Sequence, residues 1–169
     1  MNKNYRNIAI ALCMGKSENT STNKPLTVAE FYELLSAIEK YNGINDSPEQ
    51  MSLFDNVRHH NIDFTYLNEV DANFLSNELR LNGLLPEKVV SLLKRMNSLA
   101  FELERLESLS IKVCTVFDDD YPVKLKAGLR NLPNSMREPP VLYCCGDLSI
   151  ATHNFAGFVG SRDVSEDDS

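Results

Sequence analysis

The chain has 169 residues, 43% of them hydrophobic and 24% charged, a length for one domain or a small domain with part of another, and a composition that excludes a disordered chain. Its formal net charge is −7 and its pI about 5.0, so no global positive field draws in a polyanion, and any nucleic-acid contact has to be local, through a few placed Arg or Lys side chains and backbone amides. Four cysteines without C-x-x-C spacing argue against a zinc site and fit the reduced thiols of a cytoplasmic protein, and no apolar run approaches a membrane span.

In chain order, residues 8–14 form an apolar run too short for a signal core, and the polar stretch 15–25 is a loop by composition. Gly15-Lys16-Ser17 is not a phosphate loop, because position 10, where the motif needs a second glycine, is Ile10. Thr27-Val28-Ala29-Glu30 reads as a capping box, and Val28, Phe31, Leu34, Leu35 and Ile38 continue it at helical spacing until Gly43. Ser47-Pro48-Glu49-Gln50 is a second helix start. His59 and His60 are adjacent, point apart on a helix and lack a third ligand type nearby, so solvent exposure is expected of them.

A third helix is expected over 68–81, burying Val70, Phe74, Leu75 and Leu79 and closed by Asn82-Gly83. The longest regular pattern, 86–109, begins with Pro86 in its first turn. Its stripe of Val89, Val90, Leu92, Leu93, Met96, Leu99, Ala100, Leu103 and Leu106 is core packing and not a cofactor box.

After Ser110 the pattern changes. Residues 111–117 alternate and are rich in β-branched side chains, the signature of a strand, which Asp118-Asp119-Asp120-Tyr121-Pro122 interrupts. The three consecutive carboxylates point in different directions with no His or Cys at ligand spacing, so they read as a turn and not as a metal site. Residues 141–145 form a second strand, with Cys144 and Cys145 on opposite faces, and 155–159 a third, running into Gly160-Ser161-Arg162. The fold class is therefore α+β: a helical domain, 1–109, followed by a strand-bearing part, 110–169.

A hydrophobic strand ending in Gly160-Ser161-Arg162 brings backbone amides, a hydroxyl and a guanidinium to a sheet edge of the kind that binds ligands in open α/β folds. Gly160 permits close backbone approach to a phosphate, Ser161 donates a hydrogen bond and Arg162 offers a permanently charged fork. The competing reading, in which Arg162 pairs on the surface with Asp163, Glu166 or Asp167, stays open on these residues alone.

Three ordered blocks resemble the DprA/Smf family of DNA-processing proteins: 111–122, a strand followed by acidic residues and Tyr121-Pro122, with Leu125 in the final apolar place; Pro139-Pro140-Val141-Leu142-Tyr143 with Gly146-Asp147-Leu148; and Phe158-Val159-Gly160-Ser161-Arg162. The long helix before them, with Leu99-Ala100 and Leu103-Glu104, is similar too, and the likeness covers roughly 85–165. It implies that 110–169 opens a Rossmann-like domain and that Gly160, Ser161 and Arg162 contact the phosphates of single-stranded DNA. It further implies a protein that protects incoming DNA and helps load the RecA recombinase in natural transformation or recombination. The full-length protein would be a homodimer that makes and breaks no bond, with no catalytic residue, cofactor or metal.

Two other readings remain at this point. One is a nucleotide-binding or nucleotide-hydrolysing Rossmann-like enzyme, although no general acid or base is visible beyond ordinary surface carboxylates. The other is that the helical part, about 26–109, works alone as a protein-interaction or SAM/helix-hairpin-helix-like module, although Asn82-Gly83 lacks the G-x-G hairpin that grips a phosphate backbone. Ser165 with Glu166-Asp167-Asp168 resembles a helix start that Ser169 cuts short. The expectation is a chain truncated as its Rossmann-like domain begins, whose 169 residues on their own bind single-stranded DNA weakly or not at all.

Overall fold

The apolar run near the amino terminus is a helix, α1 (Lys3–Cys13), and residues 8–12 are all buried. A helix covered on every side needs no polar face, which is why the run shows no periodicity. In the computed structural model, residues 3–15, 24–41 and 70–153 are described. The helix start at Ser47, His59, His60, the apolar run 155–159, Gly160, Ser161, Arg162 and 163–169 lie outside them.

The capping box forms as its spacing predicts. Thr27 N–H donates to Glu30 Oε2 at 2.7 Å and Glu30 N–H donates to Thr27 Oγ1 at 3.3 Å, opening α2 (Val28–Tyr41). Phe31, Leu34, Leu35 and Ile38 are buried and Val28 packs against them half-buried; Tyr32 joins them because its hydroxyl donates to Glu138 O at 3.1 Å.

The third helix is shorter than 68–81. Asp71 caps α3 (Ala72–Asn77), accepting the Phe74 amide at 2.7 Å. The chain then unwinds to bury Leu79 and Leu81, two positions apart, which a continuing helix would turn to different faces. Arg80 takes the left-handed conformation, φ 54°, and Leu81 N–H returns to Leu75 O at 3.1 Å. Asn82-Gly83 instead forms the turn into the next helix, with Gly83 at φ 64°.

The long helix is in fact two, α4 (Leu85–Lys94) and α5 (Met96–Ser108), parted at Arg95 (φ −86°, ψ 2°). No Gly or Pro causes the break. The Arg95 guanidinium donates to Ala11 O at 3.1 Å and to Met14 O, which anchors this turn on the end of α1, and Ser98 Oγ donates to Arg95 O at 2.7 Å to restart the helix. The stripe divides accordingly: Val89, Leu92 and Leu93 are buried on α4, Leu99 and Leu106 on α5, while Ala100 is exposed.

Ser110, at φ 59°, turns the chain into β1 (Ile111–Thr115), which pairs antiparallel with β2 (Val141–Cys145), Ile111 opposite Cys145 and Thr115 opposite Val141. Val116 and Phe117, expected to extend the strand, leave it: Phe117 swings against the rings of Tyr5 and Phe31, at 5.3 and 6.3 Å between centroids. Between the strands lie α6 (Val123–Leu129) and a 3₁₀ turn, Asn134–Met136; a second 3₁₀ turn, Leu148–Thr152, follows β2. The fold is α+β, a helical region and then a two-stranded ribbon. Its core is continuous, with α1 touching α4, β1 and β2.

Candidate nucleic-acid interface

The residues that carry the family-like motifs gather where β1 ends and β2 begins. Asp118 Oδ2 accepts three donors: Thr115 N–H at 2.7 Å, Thr115 Oγ1 at 3.0 Å and Arg6 Nε at 3.3 Å. With Asp118 N–H returned to Thr115 O at 2.9 Å, this is a closed turn pinned to α1. Tyr121 is buried and donates from its hydroxyl to Pro139 O at 2.8 Å, and Pro140 O accepts Val116 N–H at 3.0 Å. The Tyr-Pro and Pro-Pro blocks are thus one structure, each satisfying the other's backbone.

Asp120 accepts from Lys112 and from Cys114 Sγ, and the Lys112 ammonium beside it holds its carboxyl below the ordinary carboxylate value. Burial, aided by the nearby charges of Asp120 and Asp118, pushes the Cys114 thiol up to about 12. Cys114 Sγ and one oxygen of each of Asp118 and Asp120 lie within 4.8 Å of one another, a spacing that metal ligands share. Here the two carboxylates already serve Thr115, Arg6 and Lys112, and the thiol keeps its proton.

Before β2, Glu138 is fully buried and accepts from Arg137 at 3.0 Å, while the Arg137 guanidinium lies 3.8 Å over the centre of the Tyr32 ring. After β2, Gly146 at φ 97° turns the chain, and Asp147 caps the second 3₁₀ turn by accepting from Ser149 N–H at 2.8 Å and Ser149 Oγ at 2.7 Å. These bonds from Ser149 hold the Asp147 carboxyl low. The turn ends at His153, whose carbonyl accepts Lys124 Nζ at 3.0 Å.

Of the sequence-predicted site, Gly160, Ser161 and Arg162 lie outside the described residues. What the structure describes ahead of them in the chain is α6, β2 and its glycine turn. It also draws attention to residues the motif reading passed over, Lys124, Lys126 and Arg130 on and just after α6. Their signal was present in the sequence, since 123–137 holds four basic residues and no acidic one in a chain of 17 basic and 24 acidic.

Residues 112–169 match the family model described as DNA recombination-mediator protein A, in keeping with the resemblance of the ordered blocks to the DprA/Smf family. No curated protein and no solved structure matches the chain. Among the described residues no helix is long and apolar enough to cross a membrane.

Proposed function

We propose that this chain is part of a single-stranded-DNA-binding recombination mediator, one that shields the strand and helps load RecA in natural transformation or recombination. The observation that carries the reading is the family match across 112–169, which takes in Gly160-Ser161-Arg162 together with both ribbon strands. Those three residues supply an amide, a hydroxyl and a guanidinium against phosphates; binding is non-covalent, with no bond made or broken. The partners are single-stranded DNA, RecA and a second copy of the chain, and the compartment is the cytoplasm, in keeping with the free thiols of Cys13, Cys114, Cys144 and Cys145. The strand-bearing part from residue 110 is the opening of a Rossmann-like domain, and 1–109 its helical companion.

Backbone neutralisation makes the binding strongly salt-dependent. In the full-length protein, Arg162→Ala lowers affinity for oligonucleotides of every sequence alike and reduces the slope of log K against log salt by about 0.7, the share of one phosphate contact on a single strand. Fluorescence polarisation across a salt series measures both. Unchanged affinity and slope would remove Arg162 from the interface.

A further inference from the structure

We propose that the cleft between α2 and the stretch after α3 binds an extended, proline-containing peptide segment with a basic and an acidic side chain three residues apart. The inference goes beyond the single-strand-binding reading and does not depend on it.

The cleft has a volume of about 700 Å³, within the range of sites that take a ligand. One wall is a face of α2, on which Glu33, Ala37 and Lys40 follow at helical spacing. The other is the unwound stretch 78–81, where Leu79 and Leu81, each 5% exposed, supply apolar ground. Each wall carries one carboxylate and one cation, Glu33 with Lys40 and Glu78 with Arg80, and all four are exposed. Among the described residues none of these four side chains enters a hydrogen bond or an ion pair, with one another or with anything else. A polyanion would meet two carboxylates here, whereas a ligand carrying both signs of charge complements both walls.

Spacing selects the ligand further. Glu33 and Lys40 are seven positions apart, about 10 Å along the helix axis. A polyproline-type segment repeats every three residues, so its side chains i and i+3 stand on one side about 9 Å apart. Tyr41 ends α2 with its ring 48% exposed and braced edge-on by Phe74, 5.6 Å between centroids, a platform of the kind that takes a proline ring.

Arg80 is an independent sign. Its φ of 54° is one that Gly or Asn adopts at least cost, and the chain does place a glycine, Gly83, at its next left-handed position. Neither the N–H nor the carbonyl of Arg80 enters a backbone hydrogen bond among the described residues. An arginine kept at a strained position and engaged by none of the described residues is available to a ligand.

The test titrates the isotope-labelled whole chain with two acetylated peptides, Lys-Pro-Pro-Glu and Glu-Pro-Pro-Lys, and follows the amide resonances of α2 and 78–81 by NMR. One order binds more tightly than the other, and Lys-Pro-Pro-Lys and Glu-Pro-Pro-Glu bind about fivefold more weakly than the preferred peptide. The Glu33→Lys/Lys40→Glu variant, which exchanges the charges at two exposed positions, reverses the preferred order. Arg80→Gly removes the cation and relieves the left-handed backbone: binding weakens about fivefold while the melting temperature is unchanged or raised. That pairing separates loss of the ligand from loss of the fold. If neither mixed peptide moves these resonances, if both orders bind alike, or if the exchanged variant keeps the original preference, the proposal is refuted. Resonances that move with oligothymidylate would make the cleft a nucleic-acid surface, and resonances that move with protein concentration alone a contact between copies; either result overturns the peptide reading. Arg162→Ala tests different residues, so the single-strand reading stands or falls separately.

Discussion

Asp118 shows how much one side chain does in this molecule. Its single oxygen, Oδ2, satisfies the amide and hydroxyl of fully buried Thr115 and meets Arg6 from α1, so one carboxylate closes the turn after β1 and ties it to the amino-terminal helix. Asp118→Ala strands two donors at a buried site, a loss of about 2–3 kcal/mol, which lowers the melting temperature by roughly 5–10 °C in a chain of this size. Asp118→Asn keeps an acceptor oxygen and loses the ion pair, so it falls between; thermal denaturation followed by circular dichroism ranks the three. The turn itself was legible in Asp118-Asp119-Asp120-Tyr121-Pro122, because turn chemistry is local. Its cation was not, since Arg6 is 112 positions away and nothing in either segment names the other. The same holds for Tyr32 and Glu138: helical spacing places a residue on a face, but only the fold shows which carbonyl awaits its hydroxyl.

Helices α2 and α4 are joined by Glu30, which accepts Lys88 Nζ at 2.7–2.8 Å through both carboxylate oxygens while still serving the capping box. Partial burial alone would raise the Glu30 carboxyl; the Lys88 ammonium and the Thr27 amide and hydroxyl outweigh it and hold the carboxyl below its ordinary value of 4.5. A carboxyl depressed in the folded state contributes stability above its unfolded value and loses it as pH falls through the folded one. Lys88→Met is therefore less stable than wild type near neutrality by about 1–2 kcal/mol. That gap closes as the pH is lowered from about 5, which urea unfolding at a series of pH values measures. The capping box was readable from Thr27 and Glu30 alone, the first strand from its alternating β-branched run and the second from a short apolar run. The break at Arg95 was not, because its cause is the carbonyls of Ala11 and Met14, and a helical stripe passes through position 95 without a Gly or Pro to mark it.

At the scale of the whole molecule, the proposed units 1–109 and 110–169 share a core: Phe117 lies among Tyr5 and Phe31, and Tyr32 bonds across to Glu138. We expect them to unfold together. Tyrosine fluorescence, clean in a chain without tryptophan, and far-ultraviolet circular dichroism should give coincident melting curves; separated curves would make the units independent. The site was legible in two ways of unequal reach. Gly160-Ser161-Arg162 stood out through the ordered blocks before it, whereas the basic stretch on and after α6 needed only a count of charges.

Because α1 lies under α4 and both ribbon strands, its burial bears on how the polypeptide has to be made. Translation begun at the internal Met14 would retain every signature of the last third while lacking the rod around which those parts assemble. Such a product would emerge from the ribosome with a vacant channel and a greasy interior open to water, a substrate for proteases and not a smaller working version of the protein.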